Sequence, residues 1–166
     1  MELDVRHAPD PVLSSACARP DPRDPAVVEL ADAMVALMAA SPGCVGIAAP
    51  QVGHPVALFV LDVGGARRVS SYAGLVVLCA PVLLSAEGRE VRREGCLSVP
   101  ELTGDVPRAT AVTVSGLVPG TGEERVVVAN AFEARALQHE LDHLQGLLFL
   151  DRVAGAHALF PRKRYL

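Results

Sequence analysis

The chain has 166 residues, which suits one domain with a sizeable core, and we expect a single domain over residues 1–166. Its formal charge of -4 argues against a specific nucleic-acid site, and no apolar run approaches the roughly 20 residues of a membrane helix. Four cysteines without a secretory signal predict free thiols in a cytoplasmic protein.

The first 25 residues are rich in proline and aspartate. Because proline breaks helices, this segment predicts an extended arm with turns. Pro25 then opens a helix that we predict to extend to about Ala40, with apolar residues at helical spacing that indicate core packing.

A small, apolar run interrupted by glycine follows from Cys44 to Gly53, and Gln51 is its single polar side chain. Small residues let the backbone approach a ligand or another strand closely. From the residues alone, Gln51 fits a structural amide and a donor aimed at a substrate carbonyl equally well.

Short β-rich runs fill the middle of the chain. We predict strands at residues 55–63, 75–79, 82–84, 107–114 and 124–128. Glu87 and Gly88 are a turn signal between them. The predicted organisation is therefore a helix, several short strands and a second helix.

The second helix is predicted from Ala131 to Gln145. Asn130 suits its N-cap, Glu133 completes a capping-box pattern, and Gly146 suits the position just beyond its C-terminus. Local sequence signals thus delimit this helix at both ends.

Residues 138–143 of this helix contain a His-Glu-x-x-His pattern. His139 and His143 share a helix face, with side-chain bases roughly 5–6 Å apart, so their imidazoles can bind one divalent metal ion. Glu140 lies beside that face and can reach a water on the metal without being a ligand. That is the geometry of a general base.

A catalytic divalent metal keeps three protein ligands and one open position, so a third ligand must come from elsewhere. Asp142 and Asp151 are candidates, although Asp142 points off the ligand face. Cys96 is favoured, because a thiolate binds zinc and other borderline metals strongly and Gly95 permits close approach. Glu94 and Asp142 are candidates for orienting the two histidines.

After the helix, residues 147–150 are apolar, and Asp151 and Arg152 close the predicted domain. The remaining tail ends in basic residues, namely Arg162, Lys163 and Arg164. We predict that this tail is a solvated end.

Three segments together resemble the signature motifs of peptide deformylases, in the same order and spacing. They are Gly-Ile-Ala-Ala-Pro-Gln at residues 46–51, Glu-Gly-Cys-Leu-Ser at 94–98 and Gln-His-Glu-Leu-Asp-His at 138–143. The resemblance extends from Asp10 to Arg152, and the three motifs together are highly specific. Two positions depart from the family pattern: Cys44 replaces a usual glycine, and Ala80 replaces a usual asparagine.

The resemblance implies an α+β fold with antiparallel β-sheets around a central metal-binding helix, together with an N-terminal helix. The implied activity is metal-dependent hydrolysis of the N-formyl group from the N-terminal formyl-methionine of newly made polypeptides. The implied cofactor is one divalent metal ion, natively Fe(II), with Zn(II), Ni(II) or Co(II) able to substitute. The implied partners are N-formylmethionyl nascent peptides, with the ribosome exit region as a candidate and no membrane.

The same resemblance assigns roles position by position. The implied metal ligands are Cys96, His139 and His143. The implied catalytic groups are Glu140 as general base and acid, with Gln51 and the backbone amide of Leu97 as donors to the formyl oxygen. The implied substrate-binding residues, which line a cleft where the substrate backbone pairs like an added strand, are Val45, Gly46 and Gly95.

Two other functions fit parts of the sequence. A catalytically weak paralogue would bind formylated peptides without useful turnover, and Cys44 keeps this alternative open. A zincin-type metalloprotease would need a histidine or glutamate ligand after residue 143. The only later histidine is His157, behind a predicted turn at Gly155, and no glutamate follows Glu140.

Overall fold

The structure, a computed structural model, describes residues 1–65 and 72–163. Within these ranges the chain forms two α-helices and eight β-strands, which confirms the predicted α+β class. The helices are α1, Pro25–Ala40, and α2, Ala131–Leu144. The strands are β1 Gly46–Ala48, β2 Leu58–Leu61, β3 Val76–Glu87, β4 Glu90–Cys96, β5 Val99–Arg108, β6 Ala111–Leu117, β7 Glu124–Asn130 and β8 Leu159–Pro161. Neither helix has the length and apolar character needed to cross a membrane.

The strands form two antiparallel sheets. The larger has the order β1-β2-β3-β6-β7, and the smaller has the order β4-β5-β8. Strand β2 lies between the helices, since Phe59 and Leu61 pack in the core that contains α2, whereas Leu58 and Val60 pack in the core that contains α1. This burial on both faces explains why β2 is a continuous apolar run.

Helix α1 forms as the sequence predicts. Pro25 occupies its first turn, where a missing N–H costs nothing, and Asp24 accepts a hydrogen bond from the Ala26 amide at 2.9 Å. The apolar face, which includes Met34, is buried.

Helix α2 also forms, but the predicted capping box is wrong. Asn130 occupies the N-cap without a side-chain capping hydrogen bond, and the buried Glu133 instead accepts a hydrogen bond from the Ala73 amide at 2.8 Å. A tertiary contact has therefore replaced the local one. At the other end, Gly146 has a φ of 74°, the left-handed conformation predicted for it.

Two strand predictions need correction. The separate strands predicted at residues 75–79 and 82–84 are one strand, β3, whose pairing with β6 is irregular between Cys79 and Val82. Pro81 lies in that irregularity, where the lack of an N–H is tolerated, and Ala80 beside it has a φ of 46°. The strand predicted at 107–114 is the end of β5, a turn and the start of β6.

The C-terminal segment is only partly the solvated end that we predicted. Its strand β8 pairs with β5, with Leu102 opposite Pro161 and Gly104 opposite Leu159. The side chains of Arg162 and Lys163 are exposed, as expected, but their backbone follows directly from a strand. Arg164 lies outside the described residues.

Replacing Gly104 by alanine should destabilise the smaller sheet. A Cβ at this position would lie 2.8 Å from Val153 Cγ1 and 3.1 Å from Phe149 Cε2. We expect Gly104→Ala to lower the free energy of unfolding by about 1–3 kcal/mol in denaturant titrations, because overpacking forces neighbours to move. Gly65→Ala is the matched control, since no atom of the described residues lies within 4 Å of a Cβ there. Equal stability of the two variants would contradict the packing described.

Candidate metal centre

Three donor side chains from distant parts of the sequence meet beside α2. Cys96 ends β4, whereas His139 and His143 lie one turn apart on α2. Their ligand atoms all lie within 4.8 Å of one another, and the Cys96 Sγ is 3.4 Å from the His143 Nε2. The structure therefore brings together the three residues that the sequence predicts as metal ligands.

His139 is oriented by a carboxylate. Its Nδ1 lies 2.9 Å from Glu94 Oε1, so its Nε2 is the nitrogen that faces Cys96 and His143. Phe149 stacks against the same imidazole, with ring centroids 6.5 Å apart. The prediction that Glu94 orients a histidine is confirmed, and such contacts fix the tautomer and the angle of a metal-binding imidazole.

Glu94 is the centre of a buried ion network. Arg108 donates to both of its oxygens at 2.9 Å, and Arg135 donates to Oε2 at 2.7 Å. Burial alone would raise the pKa of Glu94, but the hydrogen bonds from Arg108 and His139 lower that pKa to about 2. The carboxylate therefore stays charged at neutral pH.

Asp142 does not orient a histidine, which corrects the prediction for that residue. Its carboxylate accepts hydrogen bonds from Arg108 at 2.6 Å and from Arg152 at 2.8 Å. The Nδ1 of His143 is buried without a partner among the described residues. Asp142 thus holds Arg108 in place for Glu94 rather than supporting the second imidazole.

Arg108 is a residue of the site region that our sequence reasoning missed. It is buried at the end of β5, on the same face as the buried Gly104 and Val106. Because side chains alternate faces along a strand, counting by twos from Val106 would have placed Arg108 inside. A charge in that position predicts a buried partner.

Glu140 lies buried against the start of β1. One carboxylate oxygen, Oε2, has no hydrogen-bond partner among the described residues. A Cβ built on Gly46 would lie 2.7 Å from the other oxygen, Oε1, so only glycine leaves room for the carboxylate. Burial raises the pKa of Glu140 to about 7. The group can therefore take up or release a proton near neutral pH.

Gln51 has one end anchored and the other directed at the donors. Its Oε1 accepts a hydrogen bond from the Ala48 amide at 3.0 Å. Its Nε2 donates to Cys96 Sγ at 3.3 Å and to Ser98 Oγ at 3.2 Å. The hydrogen bond from the Ala48 amide fixes the orientation of the Gln51 side chain. Gln51 can therefore be a structural amide and also a donor to a substrate carbonyl. Ser98, fully buried here, was not singled out from the sequence.

A cavity of about 240 Å³ opens onto these groups. The predicted site residues that line it are Val45, Gly46, Gln51, Gly95, Cys96, Leu97, His139 and Glu140. His143 is absent from that lining and lies behind the other donors, with 1% of its surface exposed. The cavity therefore reaches the donor group from the side of Cys96 and His139.

Cys44, the departure from the family pattern, also lines the cavity. Its thiol donates a hydrogen bond to the Gly46 carbonyl at 3.3 Å. Burial raises the pKa of the Cys44 thiol to about 11, so it stays protonated at neutral pH. Within the described residues, the group that could hold a metal contains Cys96 but not Cys44.

The donor set fits a single metal ion. Metal bonds of about 2.3 Å to sulfur and 2.0–2.1 Å to nitrogen in a tetrahedral arrangement put the two donor atoms roughly 3.6 Å apart. The observed separation of Cys96 Sγ and His143 Nε2 is 3.4 Å. Three protein donors also match the number used by catalytic centres.

Comparisons with known proteins agree on one family. The family model for polypeptide deformylase matches residues 2–158. A peptide deformylase from Halothermothrix orenii is 44% identical over 151 residues, which are 91% of this chain and 93% of that protein. The crystal structure of peptide deformylase from Thermotoga maritima has a TM-score of 0.82 and 33% identity, covering 93% of this chain and 99% of its own. A Met-Ala-Ser-bound class I type b peptide deformylase from Acinetobacter baumannii has a TM-score of 0.84 and 34% identity, covering 92% and 99%.

Removing the thiol should remove the metal. We expect Cys96→Ala to bind Co(II) more than about 100-fold more weakly than the native chain, since even outer partners of metal ligands contribute 10–100-fold. Loss of the sulfur-to-cobalt charge-transfer absorption, together with metal content after dialysis, measures this. Cys17→Ala is the control, because Cys17 lies in the N-terminal arm outside the donor group. Full metal content in the Cys96 variant would exclude this centre.

Proposed function

The chain belongs to the polypeptide deformylase family, and we propose that its single domain, residues 1–166, hydrolyses the formyl group from formyl-methionine through the site described above. The observation that carries this proposal is the convergence of the Cys96 thiol with the imidazoles of His139 and His143, with Glu140 and Gln51 beside them. A protease of the zincin type would need its third ligand after residue 143, whereas Cys96 lies before the helix.

Glu140 is proposed as the general base and acid. When bound, a divalent ion polarises a carbonyl group and lowers the pKa of water at the site from 15.7 towards about 7. The Oε2 of Glu140, which has no hydrogen-bond partner among the described residues, is available to accept the proton of the attacking water. The same carboxyl group then protonates the leaving amine. Burial raises the pKa of this carboxyl group, which favours the protonated form that must donate to the amine.

Gln51 and the backbone amide of Leu97 are proposed to stabilise the developing oxyanion of the formyl group. The Ala48 amide holds the Gln51 Oε1, which leaves the Nε2 facing the metal ligands. Leu97 follows Cys96 directly and lines the same cavity. Loss of one such donor typically raises the barrier by about 3–4 kcal/mol.

The substrate backbone is proposed to add to the free edge of β1. Strand β1 is the edge of the larger sheet and pairs only with β2 among the described strands. The Val45 carbonyl accepts from the Asp62 amide at 2.8 Å on the β2 side. Because hydrogen-bonding directions alternate along a strand, the polar groups of Gly46 point away from β2, and Gly46 and Gly95 line the same cavity. The Gly46 carbonyl accepts from the Cys44 thiol, so a substrate amide would replace that hydrogen bond.

The natural metal is proposed to be Fe(II), as the sequence resemblance implies. A thiolate with two imidazoles also suits Zn(II), Ni(II) and Co(II), so the donor chemistry supports these as substitutes. Since the substrates are formylated nascent peptides, we further propose that the protein acts in the cytoplasm near the ribosome exit region.

Replacing the base should separate catalysis from metal binding. We expect Glu140→Gln to keep its metal but to hydrolyse formyl-Met-Ala-Ser at least 10²–10⁴-fold more slowly, the usual contribution of a positioned acid–base group. Formate release under anaerobic Fe(II) conditions measures turnover, and metal analysis measures occupancy. Glu123→Gln, an exposed change in the turn before β7, should match the native rate. An active Glu140→Gln variant would remove Glu140 from the proposed mechanism.

A substitution that displaces Glu140 should also slow the reaction. Gly46→Ala would place a Cβ 2.7 Å from Glu140 Oε1, so the carboxylate must move. We expect kcat/KM to fall about 10²-fold, since a displacement near 1 Å can have that effect. Metal content should stay at the native level, and Gly65→Ala serves as the control for a glycine change, because a Cβ there meets no described atom within 4 Å. Native activity in Gly46→Ala would show that the position of Glu140 is not critical.

A further inference from the structure

The C-terminal strand holds Arg162 in a defined place. Strand β8 pairs with β5, with Thr103 opposite Phe160. The Arg162 amide extends this ladder by donating to the Glu101 carbonyl at 2.9 Å. The Arg93 guanidinium also lies 3.7 Å from the centre of the Phe160 ring, an attractive cation–π contact. The backbone of Arg162 is therefore fixed against the smaller sheet.

The Arg162 side chain reaches from there to the cavity. Its Nη1 lies 3.4 Å from the Cys96 carbonyl oxygen, and it is one of the residues that line the cavity. Gly95 makes room for it, because a Cβ at Gly95 would lie 3.0 Å from Nη2. The guanidinium thus covers the β4 wall of the cavity, next to a metal ligand, while the residue remains exposed to solvent.

Arg162 differs from the other arginines of the cavity wall in its partners. Arg93 pairs with Asp105 at 2.8 Å, and Arg135 pairs with Glu94 at 2.7 Å. In the part of the chain that the structure describes, no carboxylate forms an ion pair with Arg162, and the one hydrogen bond of its side chain goes to a neutral carbonyl. A guanidinium has five N–H donors, so most of these remain for a ligand.

We propose that Arg162 selects substrates with an acidic side chain after the formyl-methionine. This inference rests on the proposed function, which puts the formyl group at the metal and directs the rest of the peptide past Gly95 towards solvent. A carboxylate on the second or third residue then meets the guanidinium in a charge-assisted hydrogen bond. The C-terminal strand is thereby part of the substrate site.

The test compares isosteric peptides that differ only in charge. The pairs are formyl-Met-Glu-Ser-amide with formyl-Met-Gln-Ser-amide, and formyl-Met-Ala-Glu-amide with formyl-Met-Ala-Gln-amide. For at least one of the two pairs, we expect kcat/KM to be about three- to fivefold higher for the glutamate peptide than for the glutamine peptide at low ionic strength. This ratio is typical of an exposed ion pair. The ratio should approach one in concentrated salt.

Two variants assign the preference to a residue. Arg162→Gln should bring the glutamate-to-glutamine ratio to about one, whatever it does to the rate shared by both peptides. Lys163→Gln removes the same charge from the adjacent exposed position, which is not part of the cavity wall, and should keep the native ratio. A ratio of one in the native chain for both pairs, or an unchanged ratio in Arg162→Gln, would overturn the proposal. An equal slowing of both peptides would also leave the ratio unchanged and would indicate a structural role only.

The same peptides distinguish a failure of the deformylation proposal from a failure of the Arg162 proposal. If the native chain releases formate from none of the four peptides, the deformylation proposal fails. Calorimetric affinities for the unformylated pairs, such as Met-Ala-Glu-amide and Met-Ala-Gln-amide, then test Arg162 alone. Tighter binding of a glutamate peptide by the native chain, lost in Arg162→Gln, supports the proposal, and equal affinities overturn it.

Discussion

The structure depends on one buried carboxylate, that of Glu94. It receives hydrogen bonds from Arg108 and Arg135 and contacts His139 Nδ1, so it joins β4, β5 and α2. Removing one partner of a buried ion pair typically costs about 3–5 kcal/mol, because a charge is then left unpaired away from water. The same contact that holds the smaller sheet to α2 therefore also sets the angle of a metal-binding imidazole. Glu94 therefore contributes both to the stability of the fold and to the geometry of the metal centre.

The chemistry of the site comes from groups that the fold leaves incompletely paired. Among the described residues, the buried side-chain polar atoms without a partner are Glu140 Oε2 and His143 Nδ1, and both belong to this site. Other buried charged groups have partners, since Glu133 accepts from the Ala73 amide and Arg135 pairs with Glu94. Gly46 leaves the space that Glu140 occupies, and the cavity opens beside it. A catalytically weak paralogue is not favoured, because Glu140 and Gln51 both face the donor group.

Local sequence signals correctly predicted the features that depend on neighbouring residues. Proline at the start of α1 and the left-handed glycine after α2 fixed those helix ends, and the spacing of His139 and His143 on one helix placed two ligands together. The third ligand, Cys96, was favoured for its thiol and the neighbouring glycine, and the resemblance across three motifs implied the same residue. Its position at the end of β4 depends on pairing with β5, which no single segment encodes.

The misses share a different origin, since each depends on contacts between distant residues. Glu133 binds the Ala73 amide instead of capping its own helix. Arg108 is buried because Glu94 and Asp142 lie opposite it. Strand β8 has three residues and forms only because β5 offers an edge. Such features depend on tertiary contacts, which a local sequence pattern does not encode.

In the proposed centre, one sulfur and two imidazole nitrogens hold a single metal ion and leave one position for solvent or substrate. X-ray absorption spectroscopy of the Fe(II)- or Zn(II)-loaded native chain tests this arrangement. We expect one sulfur at about 2.3 Å, two imidazole nitrogens at about 2.0–2.1 Å and one further light scatterer that exchanges with added formate. A spectrum without sulfur, or one with a fourth ligand from the protein, would contradict it.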